Sequence, residues 1–156
     1  MKNYRIILML LCATLLCVGC GKKDRPADLP DDMSPCEITI TQDGAPVDGA
    51  TVSFVYATDV KYSTSGTTDA KGVAVMMTYG QAGAQQGTAK VLVSKLVTEG
   101  ASESEEYGET GSLGQDFHVI DAKYRNEATT DLEITIGKSR VKETYEVGAP
   151  VHEPAK

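Results

Sequence analysis

From residue 36 onward the chain sets apolar side chains at every second position, in short runs separated by glycine-containing turns. That alternation restricts the chain to half-buried β-strands. In Cys36-Glu37-Ile38-Thr39-Ile40-Thr41, one face carries Cys36, Ile38 and Ile40 and the other Glu37, Thr39 and Thr41. Residues 50–57 put Val52, Phe54 and Tyr56 together, and residues 131–136 put Leu132, Ile134 and Ile136 against Asp131, Glu133 and Thr135. Residues 65–68, 73–78, 88–95 and 141–147 complete a set of seven short strands. In the last of these Val141, Tyr145 and Val147 share a side that Glu143 interrupts, so Glu143 belongs near an edge or rim. Gln42-Asp43-Gly44-Ala45-Pro46 and Asp69-Ala70-Lys71-Gly72 read as turns, Gly44 being free to take positive φ. Only residues 120–126 suffice for a turn or two of helix. Seven strands with Gly-rich turns predict an all-β, antiparallel, seven-stranded sandwich.

The first nineteen residues have a different organisation. Lys2 and Arg5 form a basic start, residues 6–18 are apolar but for Thr14, and Gly19 precedes Cys20. This is secretory-signal layout. An apolar helix of that length spans about 20 Å, too short for a hydrocarbon core of about 30 Å. Cys17-Val18-Gly19-Cys20 resembles the lipobox of bacterial lipoproteins, with Gly19 and Cys20 matching, Val18 acceptable, and Cys17 standing where the pattern has Leu, beside Leu16. The resemblance implies that residues 1–19 are removed and that the Cys20 thiol forms a thioether to diacylglycerol. Two or three acyl chains anchor stably where one does not. Gly21 after Cys20, in place of Asp, is similar to an outer-membrane address. The expected location is therefore the bacterial cell envelope, lipid-anchored, at the outer membrane.

Residues 20–156 amount to one domain. Of fifteen basic and twenty-two acidic residues, the leader holds only Lys2 and Arg5, which leaves a balance of −9. An acidic surface argues against nucleic acid and against anionic head groups as partners. Cys12 and Cys17 leave with the leader and Cys20 is acylated, so Cys36 remains without an internal disulfide partner and reads as a small buried apolar residue. Residues 20–35, with Pro26, Pro30 and Pro35 among charged residues, read as an extended tether, and residues 148–156 as a disordered tail.

Within the body, Asp43-Gly44-Ala45-Pro46-Val47-Asp48-Gly49-Ala50-Thr51-Val52-Ser53-Phe54 and Gly66-Thr67-Thr68-Asp69-Ala70-Lys71-Gly72 stand in order, followed by Gly83-Ala84, Gly87-Thr88-Ala89-Lys90-Val91, Ala122-Lys123-Tyr124 and Thr130-Asp131-Leu132. In that order and spacing they resemble carboxypeptidase regulatory-like domains over residues 36–147. The resemblance implies a transthyretin-like, prealbumin-type sandwich, common on small envelope lipoproteins. The matched residues explain fold: Asp43-Gly44 turns a hairpin, Gly49 and Gly72 relieve crowding, and Val52 and Phe54 fill the core. They carry over no activity.

No catalytic constellation stands out, and the chain reads as non-enzymatic, without cofactor or metal. His118 and His152 lack the further ligands that zinc requires. Residues 99–116 carry Glu99, Glu103, Glu105, Glu106, Glu109 and Asp116 without a basic residue, and read as a solvated mobile loop between strands. Calcium would want an ordered oxygen cage, which this spacing does not offer. Transthyretin-like hydroxyisourate hydrolases end in Tyr-Arg-Gly-Ser, whereas Tyr124-Arg125-Asn126 is internal and lacks Gly-Ser. There is no Trp to serve as a sugar platform; of the remaining tyrosines, Tyr56 and Tyr145 are expected in the core, leaving Tyr62, Tyr79, Tyr107 and Tyr124. Two functions from different classes follow. One is a structural or protein-interaction module anchored to the membrane through Cys20. The other is a binding protein for a glycan or small solute at the loop face, which a cluster of exposed tyrosines would favour.

Overall fold

The computed structural model describes residues 29–58, 60, 62–101 and 113–155. Among these the strands are β1 (Met33–Ser34), β2 (Cys36–Gln42), β3 (Ala45–Pro46), β4 (Thr51–Tyr56), β5 (Thr64–Thr67), β6 (Val73–Val75), β7 (Met77–Thr78), β8 (Gln81–Ala82), β9 (Ala84–Gln85), β10 (Gly87–Ser94), β11 (Leu96–Ala101), β12 (Leu113–His118), β13 (Glu133–Ile136), β14 (Val141–Glu146) and β15 (Glu153–Pro154). One short helix, α1 (Ala122–Arg125), lies between β12 and β13, capped by Asp121, whose carboxylate accepts from Lys123 N at 2.7 Å. No helix among the described residues is long and apolar enough to cross a membrane.

The strands make an all-β, sandwich-like body in mostly antiparallel sheets. A six-stranded sheet runs β13-β10-β4-β5-β7-β8. A second runs β14-β2-β3, with β6 also on β2. The inward faces of both meet in one core of Cys36, Ile38 and Ile40 from β2, Val52 and Phe54 from β4, Val91 and Val93 from β10, and Ile134 and Ile136 from β13, closed by Met76, Ile120 and Val147. Burying one such aliphatic or aromatic side chain contributes about 1.5–3 kcal/mol, so the alternation along each strand selects the register in which all of them point inward. Glu143 is exposed on β14, the edge of its sheet, as its interruption of an apolar face predicts.

The turns are built as the residues suggest. Asp43 and Gly44, at φ 50° and 75°, join β2 to β3 in a two-residue loop of the I′ kind. In the next turn Asp69 Oδ1 accepts from Lys71 N and Val73 N, each at 2.9 Å. Gly72 sits at φ 75° where a Cβ would stand 2.6 Å from Ile40 O, so close strand approach requires glycine there. Gly49 is a different case: a Cβ there would meet open space, and its need for glycine comes from φ 68° alone.

Five expectations are corrected. β14 pairs with β2 in parallel, Val141 beside Cys36 through Glu146 beside Thr41, so the sandwich is not antiparallel throughout. The chain leaves β13 in one sheet and re-enters at the start of β2 in the other, Val141 N donating to Pro35 O at 2.9 Å. Residues 73–78 are not one strand. Met76 N donates to Cys36 O at 2.9 Å and Met76 O accepts from Gly83 N at 2.9 Å, which turns the backbone from β6 on β2 to β7 on β5. The tether does not reach residue 35, because Leu29 is buried, β1 pairs with β9, and Ser34 Oγ donates to Gly137 O at 2.5 Å. Residues 148–156 are not a disordered tail over their described part: β15 pairs with β12, and Ala155 N donates to Asp116 O at 2.8 Å. Nor is the segment 99–116 a loop from end to end, since Glu99 and Asp116 belong to the β11–β12 pair. Residues 102–112 lie outside the described residues.

Candidate functional site

Cys20 and the whole leader lie outside the described residues, as do Glu103, Glu105, Glu106, Tyr107 and Glu109. Cys36 is buried at the start of β2, as expected of a small apolar residue. Burial first, then the nearby carboxylates of Glu143 and Glu37, push its thiol up to about 11. Tyr56 and Tyr145 are half-buried against the core, and Tyr145 OH donates to Glu133 O at 2.8 Å. His118 lies on β12, its Nδ1 buried without a hydrogen-bond partner. His152 lies before β15, its Nε2 3.2 Å from Glu99 Oε1. The acidic segment and the second histidine thus meet, which the sequence did not suggest. Among the described residues no three His, Cys, Asp or Glu side chains are grouped to hold a metal ion.

An open cleft of about 760 Å³ lies on the outer side of β5 and of the run from β6 through β7. The two segments are arms of one hairpin folded about the Asp69–Gly72 turn, in register from Thr64 opposite Thr78 to Thr68 opposite Ala74. Alternation again sorts their side chains. Ser63, Ser65 and Thr67 point outward from one arm, and Val75, Met77 and Tyr79 from the other. Inward between them, Thr78 Oγ1 donates to Gly83 O at 2.9 Å, which leaves Thr64 Oγ1 to donate to Thr78 Oγ1 at 2.8 Å. Tyr56 OH approaches Thr64 Oγ1 at 3.1 Å and extends this buried network. A fully connected polar network of this kind fixes the strands it joins, so the floor of the cleft is rigid.

Tyr79 closes one end of the cleft. Its ring lies 4.9 Å from that of Tyr62, tilted by 49°, and the residue is 61% exposed. With Gly80 it forms the two-residue loop between β7 and β8, at φ 47° and 74°. Gly66 lies in the middle of β5, where a Cβ would stand 2.7 Å from Val75 O, so the two arms approach more closely there than any side chain would permit. The tyrosine pair is absent from any motif in the sequence, because the two rings meet only once the hairpin has folded.

No family model, curated protein or solved structure matches this chain.

Proposed function

We propose that this chain is a non-enzymatic, lipid-anchored protein of the bacterial cell envelope, held at the outer membrane through Cys20, whose β-sandwich acts as a structural or protein-interaction module. The observation that carries this reading is the leader itself: a basic start, a short apolar run and Gly19-Cys20 at its end. The finer fold we propose is the seven-stranded transthyretin-like sandwich of carboxypeptidase regulatory-like domains. Support for it comes from the strands of three or more residues, which, with the β11–β12 pair set aside, are β14-β2-β6 in one sheet and β13-β10-β4-β5 in the other. The I′ turn at Asp43-Gly44 and the close approach at Gly72 fall on motif positions and speak for the same fold. Eight residues separate Cys20 from buried Leu29, so even a fully extended connection holds the body within about 32 Å of the lipid. Metabolic labelling with palmitate tests the anchor: the protein incorporates label and Cys20→Ala does not. Label retained in the variant overturns the assignment.

The Tyr62–Tyr79 pair favours a second reading, in which the sandwich is a ligand-binding protein for a glycan or small solute.

A further inference from the structure

We infer that the cleft on the outer side of β5 and of the run from Val73 to Tyr79 binds a short neutral glycan bearing N-acetyl groups, with Tyr79, its ring packed against Tyr62, as the aromatic platform. This rests on the ligand-binding reading above and gives it a place and a ligand class. The cleft has a volume of about 760 Å³, within the range of small-molecule sites. The two arms that carry it differ in chemistry. Ser63, Ser65 and Thr67 form a row of hydroxyls, each able to donate and to accept. Val75 and Met77 form an alkyl strip alongside it on the paired arm, exposed by 52% and 41%, and lead to the Tyr79 ring. A sugar presents hydroxyls on its edge and C–H groups on its face, which suits one row of hydroxyls and one aromatic platform. The alkyl strip asks for something more apolar than a hydroxyl along the same chain, and an acetamido methyl supplies it.

Charge narrows the ligand further. Among the described residues that line the cleft, Asp69 carries the only charge, and the chain as a whole is at −7. An anionic ligand would meet repulsion with no cation in the lining to offset it.

The backbone at Tyr79 is the independent sign of use. At the equivalent position of the β2–β3 loop, at a similar positive φ, stands Asp43, a short polar residue of the kind such turns favour. A bulky aromatic in the left-handed region is a rarity that the surrounding structure has to stabilise. Backbone strain of this sort gathers at binding sites. The loop turns the chain without needing a ring; the ring serves the cleft.

The test is calorimetric titration of the full-length, detergent-purified protein with chito-oligosaccharides, and with cello-oligosaccharides as the analogues lacking acetamido groups. Tyr79→Asn removes the ring and keeps a residue that tolerates left-handed backbone; Met77→Glu blocks the alkyl strip, and melting temperature follows the fold of each. We expect saturable binding of the chito series, about tenfold tighter than the cello series. We expect it to weaken about tenfold or more in both variants, with Tyr79→Asn melting no lower than the parent. Equal binding of the two series overturns the N-acetyl assignment. Chito binding unchanged in both folded variants overturns the cleft and leaves the ligand-binding reading standing. Absence of binding to either series overturns the inference; a thermal-shift screen of small solutes then separates the two readings, since a binder found there preserves the broader one and none removes both.

Discussion

The imidazole of His152 lies flat on the ring of Phe117, with centroids 3.9 Å apart and 21° between the planes. The stack is one of several ties between the C-terminal segment and β12. Arg125 pairs with Glu153, Val151 N donates to Val119 O at 3.2 Å, and Ala155 N to Asp116 O at 2.8 Å. Backbone amides held in this way open only with the element that holds them. Hydrogen exchange followed by NMR is expected to find Val151 and Ala155 slowed by at least about tenfold relative to an unstructured peptide. His152→Ala is expected to speed exchange at Ala155 without lowering the global melting temperature. Peptide-like exchange at both amides in the parent would contradict the pairing.

Phe54 is 5% exposed and meets Tyr56 edge-on, ring centroids 6.3 Å apart. Phe54→Ala leaves a cavity in the sandwich core and is expected to cost about 3–5 kcal/mol in a urea unfolding titration. A loss below about 1 kcal/mol would mean that the site collapses around the missing ring or that β4 is displaced in register.

Acid should loosen the β2–β3 turn. The Glu146 carboxylate accepts from Thr41 Oγ1 at 2.7 Å, from Asp43 N at 2.8 Å and from Gly44 N at 3.3 Å. The Thr41 hydrogen bond first, and then the turn amides, hold Glu146 below its ordinary 4.5. A group whose folded pKa is depressed contributes stability above its unfolded pKa and loses it as pH falls through the folded value. Unfolding titrations from pH 6 downward should therefore show stability falling below about pH 4.5, with a shallower slope in Glu146→Gln. Glu37, Asp69 and Asp131 are depressed likewise, so a slope remains in the variant. An unchanged slope would mean that the Glu146 bonds do not persist in solution.

Cys36 gives the opposite sign. Its thiol is raised from 9.0 to about 11, so the stability linked to the neutral thiol is whole below pH 9 and is lost as pH rises towards 11. A shift of that size corresponds to about 2–3 kcal/mol. Tyr145, raised to about 12 by burial and then by Glu143, adds a loss at higher pH; comparison with Cys36→Ala isolates the thiol. In the folded protein at pH 8 the thiol is expected to resist a disulfide reagent that labels it at once in urea. Rapid labelling without denaturant would place Cys36 at the surface.

Where apolar residues alternate over five or more positions, as from Cys36 through Ile40 or Leu132 through Ile136, the sequence alone indicates strand, face and core together, because only one register buries the whole set. Asp43-Gly44 and Gly72 are equally legible, since their backbone angles exclude most other residues. The direction of β14 is not: Val141, Tyr145 and Val147 state which side is buried and nothing about which neighbour supplies the hydrogen bonds. The break at Met76 is hidden for a related reason. Alternation continues straight through it while the backbone bonds change sheet. Two-residue strands such as β8 and β15 are too short to show a period at all. The cleft is not legible in the sequence because its lining comes from the two arms of a hairpin, whose contribution is geometric, not compositional.

The parallel seam between β2 and β14 has a consequence for how the chain reaches its native state. Cys36 finds Val141 only after nearly the whole domain has been made, and a pairing so remote in sequence is slow to form because the intervening loop must close first. Until that moment the hydrogen-bonding edge of β2 is open along its length from Cys36 to Thr41. A chain emerging in order from its first residue therefore carries an unsatisfied strand edge through most of its synthesis, and β14 acts as the latch. Such an edge invites pairing with any other extended segment, so truncation before Val141 should yield a protein that associates with itself, whereas a free peptide spanning 141–147 should cap it.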